Sequence, residues 1–226
     1  MVQAGTNDQK FVCYPIREAV AGRPALINWI AERRVDPSTP WAREDWNRAG
    51  RIEDFLPLFE AWDWPWLSVP SLIRAAPGVW EFPMVDRDPL TSWTRGRVTL
   101  LGDAAHPMYP IGSNGSSQGI LDARTLAFHL AMEGDVVAGL AAYEAARRPA
   151  TSALIAATRG AGPDRVLDLA EQRAPEGFGA AGRDAFIPHA ELEEIAAGYK
   201  RMAGFDPAAL NARASLSARL RQAVPG

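Results

Sequence analysis

The spacing of apolar residues changes several times along this chain. Phe11–Ile16 is a short run of aromatic and β-branched residues, which predicts a strand, and Leu26–Ala31 predicts a second. A tract rich in tryptophan follows (Trp41, Trp46, Trp62, Trp64, Trp66), where Pro65 and Pro70 forbid a long helix. Gly78–Val85 reads as extended. A compact apolar run, Val98, Leu100 and Leu101, then predicts a buried strand over Arg97–Gly102, with Asp103 at its end. Pro107–Ser117 is dense in turn formers, so no regular element should cross it.

Helical spacing resumes from about Ser117. Ile120, Ala123, Ala127 and Leu130 form one stripe, and Leu121, Thr125, Phe128 and Met132 a second, so this helix should be buried over most of its girth. Beyond Gly134 the pattern stays helical. Val136–Thr158 is one candidate, with Pro149 expected to kink or end it near Arg148. Asp164–Arg173, Glu191–Met202 and Pro207–Ala223 are further helices, with a Gly/Ala-rich loop over Pro175–Asp184. Three regions follow: a sheet region with the Trp-rich tract (1–93), a strand–loop–helix (94–133) and C-terminal helices (134–226).

Composition narrows the partners. The 226 residues are 47% hydrophobic and 23% charged, which is ordinary for a globular chain of one large domain or two modest ones. A net charge of −3, with only the short pairs Arg33-Arg34 and Arg147-Arg148, gives no footprint for nucleic acid. No segment reads as a signal peptide or membrane span, so the expected location is cytoplasmic. The single cysteine, Cys13, excludes an intrachain disulfide and a thiolate cluster, and reads as a small buried hydrophobe. The eight tryptophans are expected mainly to fill a core between sheet and helices, with Trp80 and Trp93 as candidates for a flat aromatic pocket. Tyr14 faces either that pocket or the core.

The candidate chemistry centres on Gly102–Ser117. A helix start behind a glycine-rich loop offers free N–H groups, here those of Gly115, Ser116 and Ser117, to an anionic or electron-rich ligand. No two of His106, His129 and His189 have metal-ligand spacing, and no G-x-S-x-G elbow supports a hydrolase. His106 reads as structural, and His129 as a hydrogen-bonded core or interface residue. Asp86-Arg87-Asp88-Pro89 reads as a turn with local ion pairing.

Gly102-Asp103-Ala104-Ala105-His106-Pro107, followed by Pro110-x-Gly112-x-x-Gly115, resembles the second FAD-contacting motif of the flavin-dependent aromatic hydroxylases, including those acting on phenazine carboxylates. The flanks, WEFPMVDRDPLTSWTRGRV and AYEAARRPAT, are similar to that family as well, as is KFVCYPI near the start. The N-terminal βαβ unit that carries the family's dinucleotide-binding fingerprint is not found in this sequence, nor is the family's middle Asp-Gly motif. The resemblance therefore implies an α+β chain. It would be the C-terminal portion of a two-domain FAD monooxygenase fold, with a mixed substrate-domain sheet and a helical FAD-contacting region.

The resemblance also implies the chemistry. FAD would be the cofactor and NADPH the reductant, with a C4a-hydroperoxide delivering oxygen to an electron-rich aromatic or heteroaromatic ring. No protein side chain is expected to act as a catalytic acid or base. Asp103 would accept hydrogen bonds from ribityl hydroxyls, and Gly102 would let the backbone pass close. Pro110 would present its carbonyl near the flavin, with Gly112 and Gly115 shaping the loop. The N–H groups of Ser116 and Ser117 would meet the charge that accumulates on reduction. Tyr14 and Trp80 are the candidate substrate contacts. Expected partners are a small aromatic substrate and either a separate N-terminal nucleotide-binding half or a second copy of the chain. A different reading of the same residues is a non-catalytic module that binds a small aromatic ligand or a partner protein.

Overall fold

The computed structural model describes residues 1–36, 38, 45–82, 84–160 and 162–217. The chain divides into two compact units, Met1–Met84 and Val85–Gly226.

The first unit is built on an antiparallel sheet of β1 (Val2–Gly5), β2 (Gln9–Arg17) and β3 (Leu26–Arg33), in that order. Both strands expected from the aromatic and β-branched runs lie within β2 and β3. The register pairs Phe11 with Ala31 and Cys13 with Trp29. Strand alternation then sends Phe11 and Cys13 to one face and Tyr14 to the other. The short elements α1 (Leu56–Phe59), β4 (Asp63–Trp64), β5 (Leu67–Ser68) and α2 (Val69–Arg74) follow. Phe59, Val69 and Ile73 from these elements close over Phe11 and Cys13 as the core. Each such fully buried side chain contributes about 1.5–3 kcal/mol. Burial also pushes the Cys13 thiol up from its ordinary pKa, as suits a structural cysteine.

The tryptophans depart from expectation. Trp29 and Trp62 pack partly against this core, whereas Trp46, Trp64, Trp66 and Trp80 are exposed. The reason for Trp64 and Trp66 is local. The tight β4–β5 turn pairs Trp64 with Leu67, and the two indoles stack on each other at 5.6 Å on its outside. Trp41 lies outside the described residues. The extended reading of Gly78–Val85 reduces, among the described residues, to one bridge between Ala49 and Trp80.

The second unit opens with a hairpin, β6 (Thr94–Arg95) and β7 (Val98–Thr99), turning at Gly96 with φ +60°. The strand expected over Arg97–Gly102 is thus only two residues long. It gives way to a 3₁₀ turn at Gly102–Ala104, where Gly102 has φ +57°. A non-glycine residue would be strained there. Helix α3 (Gly115–Met132) takes in the last three residues of the loop expected to stay irregular. It is joined by the short turn at Gly134 to α4 (Val136–Thr158). The Asp135 carboxylate accepts the Ala138 N–H at 2.9 Å and so caps α4. At Gly139 an added Cβ would lie 3.1 Å from the backbone of His129 and Leu130, so the glycine lets the two helices close up. The unit ends with α5 (Arg165–Arg173), α6 (His189–Met202) and α7 (Pro207–Ala212). The helix expected over Pro207–Ala223 therefore stops at Ala212, and 218–223 lie outside the described residues.

Two expectations for the long helices fail for physical reasons. Pro149 does not end α4, which continues nine residues past it to Thr158. Pro149 and Ala145, whose carbonyl loses its N–H partner, are both exposed, so water can satisfy that oxygen. Arg147, Thr151, Leu154 and Ile155 are buried on both sides of the proline and hold the axis. Pro149→Ala is accordingly expected to raise stability by about 1–3 kcal/mol, measured as a higher urea midpoint, because it restores the helical hydrogen bond.

Helix α3 is not buried over most of its girth. Its buried residues are Gln118, Asp122 and Thr125, while Ile120, Ala123, Ala127 and Leu130 are all exposed. The face turned inward is organised by charge and hydrogen bonding rather than by apolar area.

Candidate functional site

Asp122 lies on α3, fully buried, and its carboxylate gathers three donors. The Gly102 N–H donates to Oδ2 at 2.9 Å, the His106 ring reaches the same oxygen through Nε2, and Arg147 Nε of α4 donates to Oδ1 at 2.7 Å. Arg147 also donates to Gln118 Oε1 at 2.6 Å, and Gln118 Nε2 donates to the Ala203 carbonyl at 3.2 Å. Burial by itself would push the Asp122 carboxyl up. The bonds from His106, Arg147 and Gly102 outweigh it and hold the group below the usual carboxylate range. One carboxylate thus pins the Gly102–His106 segment to both long helices.

The surroundings seal this anchor. The His106 and Tyr143 rings flank Trp93, with centroids 5.5 and 5.8 Å away, and Tyr143 donates to the Leu100 carbonyl at 3.2 Å. Burial, and next the charge of Asp122, raise the Tyr143 phenol above its ordinary pKa. Trp93 is a core residue here, not a pocket wall. His106 is held as a structural residue by Asp122. His129 is less integrated than expected, since its Nδ1 lies 3.7 Å from Glu133 and makes no hydrogen bond among the described residues.

Asp103 is displayed where its neighbours are pinned. It is exposed, and no hydrogen bond to its carboxylate is seen among the described residues. An added Cβ on Gly115 would have Asp103 Oδ1 as its nearest neighbour, 3.9 Å away, so the carboxylate stands beside the first residue of α3. A Cβ added at Gly102 would meet open space. The loop between turns sharply, with Gly112 at φ +78° and Ser113 at φ +55°. Asn114 occupies the cap position of α3 without a side-chain capping bond, and Ser116 is exposed. An exposed acceptor therefore stands beside a helix start that has no side-chain cap. A ligand carrying both hydroxyls and an electron-rich edge fits that donor set.

The structure brings Gly102, Asp103, Gly115, Ser116 and Ser117 together, with Pro110 and Gly112 on the connecting loop. Tyr14 and Trp80 both belong to the first unit, Tyr14 half-buried and Trp80 exposed. The Asp86–Pro89 segment is tied to a residue distant in sequence. Arg159, just past α4, reaches Asp86 at 2.5 Å and Asp88 at 2.8 Å. The sequence reading missed Gln118, Asp122 and Arg147. Its available signal was the i, i+4, i+7 recurrence of Gln118, Asp122 and Thr125, a polar stripe at helical spacing.

The class of protein to which this strand–turn–helix belongs is given by comparison. Residues 81–158 match the FAD binding domain family. The chain is related to the flavin-dependent aromatic hydroxylases. It is 48% identical over 153 residues to phenazine 1,6-dicarboxylic acid hydroxylase PhzS of Lysobacter antibioticus, covering 66% of this chain and 37% of that protein. It is 34% identical over 201 residues to 3-amino-4-hydroxybenzoate 2-monooxygenase PtnB3 of Streptomyces platensis, covering 88% and 46%. The structure of a salicylate hydroxylase substrate complex superposes with a TM-score of 0.56 at 24% identity, covering 90% of this chain and 46% of that one. The fold is thus a mixed helix-and-strand fold shared with FAD monooxygenases. The chain spans less than half the length of these relatives. No helix among the described residues is long and apolar enough to cross a membrane.

Proposed function

We propose that this chain is the C-terminal portion of an FAD- and NADPH-dependent monooxygenase that hydroxylates an electron-rich aromatic or heteroaromatic carboxylate. The observation that carries the reading is the juxtaposition of the exposed Asp103 carboxylate with the uncapped start of α3, inside the residues matched to the FAD binding domain. FAD, when bound, supplies the redox chemistry and the activation of oxygen. Asp103 accepts hydrogen bonds from the ribityl hydroxyls, and Gly102 keeps the backbone free of a side chain beside them. The N–H groups of Gly115, Ser116 and Ser117 stabilise negative charge on the ring system. Pro110 and Gly112 shape the loop that borders it. Tyr14 and Trp80 are the residues we assign to the aromatic substrate. The carboxylated aromatic substrates named for the relatives support the substrate class.

The test supplies the nucleotide-binding half. A G-x-G-x-x-G segment, encoded ahead of Met1 or by a neighbouring gene, is combined with this chain, FAD, NADPH and aromatic carboxylates under ¹⁸O₂. Incorporation of one ¹⁸O atom into the ring, with matched NADPH oxidation, is expected. Aromatic binding without oxygen transfer would favour the non-catalytic module.

A further inference from the structure

Asn114 is in the position from which asparagine ordinarily caps a helix, accepting the N–H of the second or third residue. Here it does not. The residue is 3% exposed, its side chain makes no bond to α3, and its Nδ2 donates to the hydroxyl of Tyr199. Tyr199 comes from α6, forty-one residues beyond the end of the segment matched to the FAD binding domain. Its hydroxyl in turn donates to the Ile111 carbonyl at 3.1 Å. Gly112 makes room for it, since an added Cβ there would stand 2.0 Å from Tyr199 Oη. Helix α6 is anchored independently of this contact. Arg173 of α5 pairs with both carboxylate oxygens of Glu191, at 2.6 and 2.9 Å, and Gln118 holds the Ala203 carbonyl just beyond α6.

From this arrangement we propose that Tyr199 is a positioning residue, which withholds Asn114 from capping α3 and so keeps the N–H groups of Ser116 and Ser117 open to the cofactor. The inference rests on the assignment of that helix start to FAD. Asn114 is the competing acceptor for these donors, being the residue next to α3 with a side-chain carbonyl of the right reach. Its Nδ2 bond to Tyr199 holds the amide in an orientation from which its carbonyl makes no bond to those N–H groups. Released, it would satisfy the helix internally and close the site. The loop Ile111–Asn114 is thereby set from the C-terminal helices, outside the segment that carries the recognisable sequence motif.

Tyr199→Phe keeps the ring and removes the hydroxyl, so Asn114 is freed while α6 stays docked. The test measures amide exchange by NMR in the full chain for wild type, Tyr199→Phe and Tyr199→Phe/Asn114→Ala, together with FAD affinity. In Tyr199→Phe, exchange at Ser116 or Ser117 is expected to slow by about fivefold, the worth of a helix cap, and FAD to bind about fivefold more weakly. Both changes should revert in the double variant, which has no side chain able to cap. Unchanged or faster exchange at both serines in Tyr199→Phe would overturn the proposal, as would failure of Asn114→Ala to reverse the slowing. A loss of FAD affinity that persists in the double variant would also overturn it. Absence of FAD binding by the wild-type chain would contradict the FAD assignment instead, and the exchange rates alone would still decide whether Tyr199 controls the cap.

Discussion

Asp122→Ala is expected to lower the free energy of unfolding by about 3–5 kcal/mol, read as a fall in the urea midpoint at pH 7. The loss arises from what is left behind. Arg147 is nine-tenths buried, and without Asp122 its guanidinium keeps only Gln118 as a side-chain partner among the bonds seen here. The Gly102 N–H and the His106 ring lose their acceptor in the same step. Against a typical domain stability of about 5–15 kcal/mol, this is a large fraction. Asp122→Leu combined with Arg147→Met should recover much of the loss, because the stranded charge is removed with its partner. A double variant as unstable as Asp122→Ala would contradict this account. Acid should act on the same group. The folded-state pKa of Asp122 lies below its ordinary value of 3.8, so its stabilisation is fully present above that value. It is lost as pH falls further, through the folded-state pKa. The acid branch of the stability curve should therefore flatten in Asp122→Asn.

Asp103→Ala is expected to do the reverse, sparing the fold and removing the ligand. The side chain is exposed and unbonded among the described residues, so stability should move by no more than about 0.5 kcal/mol. If the carboxylate accepts two hydroxyl hydrogen bonds at about 1.5–3 kcal/mol each, FAD affinity should fall by about a hundredfold or more. Equilibrium titration, or retention of flavin through gel filtration in the complete protein, measures this. Flavin retained at the wild-type level would refute the assignment of Asp103. The two variants separate the anchor from the surface it presents, although the residues stand on neighbouring elements.

That division follows what could be read from the chain. The display was legible in the sequence because it is local. Gly102, Asp103 and the residues from Pro110 to Ser117 form one continuous string, whose turn formers and helix start follow from backbone preferences. Strands β2 and β3 were legible for a similar reason, each being a run of residues suited to a pleated, half-buried surface. The anchor was not. Asp122 and Arg147 are 25 residues apart, and Tyr199 lies 85 residues from Asn114. Hydrophobic periodicity assigned the wrong face of α3, because it assumes that the buried stripe is apolar. Gln118, Asp122 and Thr125 are buried instead, since their polar atoms find partners on α4, on the Gly102 turn and within α3 itself. Pro149 misled for a related reason. Its cost is real, but the buried contacts of α4 on either side of it exceed that cost.

The measurement that bears most directly on the central claim is a titration of the purified chain with FAD, followed by visible absorbance and flavin fluorescence. Saturable binding that Asp103→Ala weakens by about a hundredfold, in a protein that remains folded, is the predicted result. A folded chain that binds no FAD, or binds it equally well without the Asp103 carboxylate, would contradict the claim that the Gly102 turn and the start of α3 hold the cofactor.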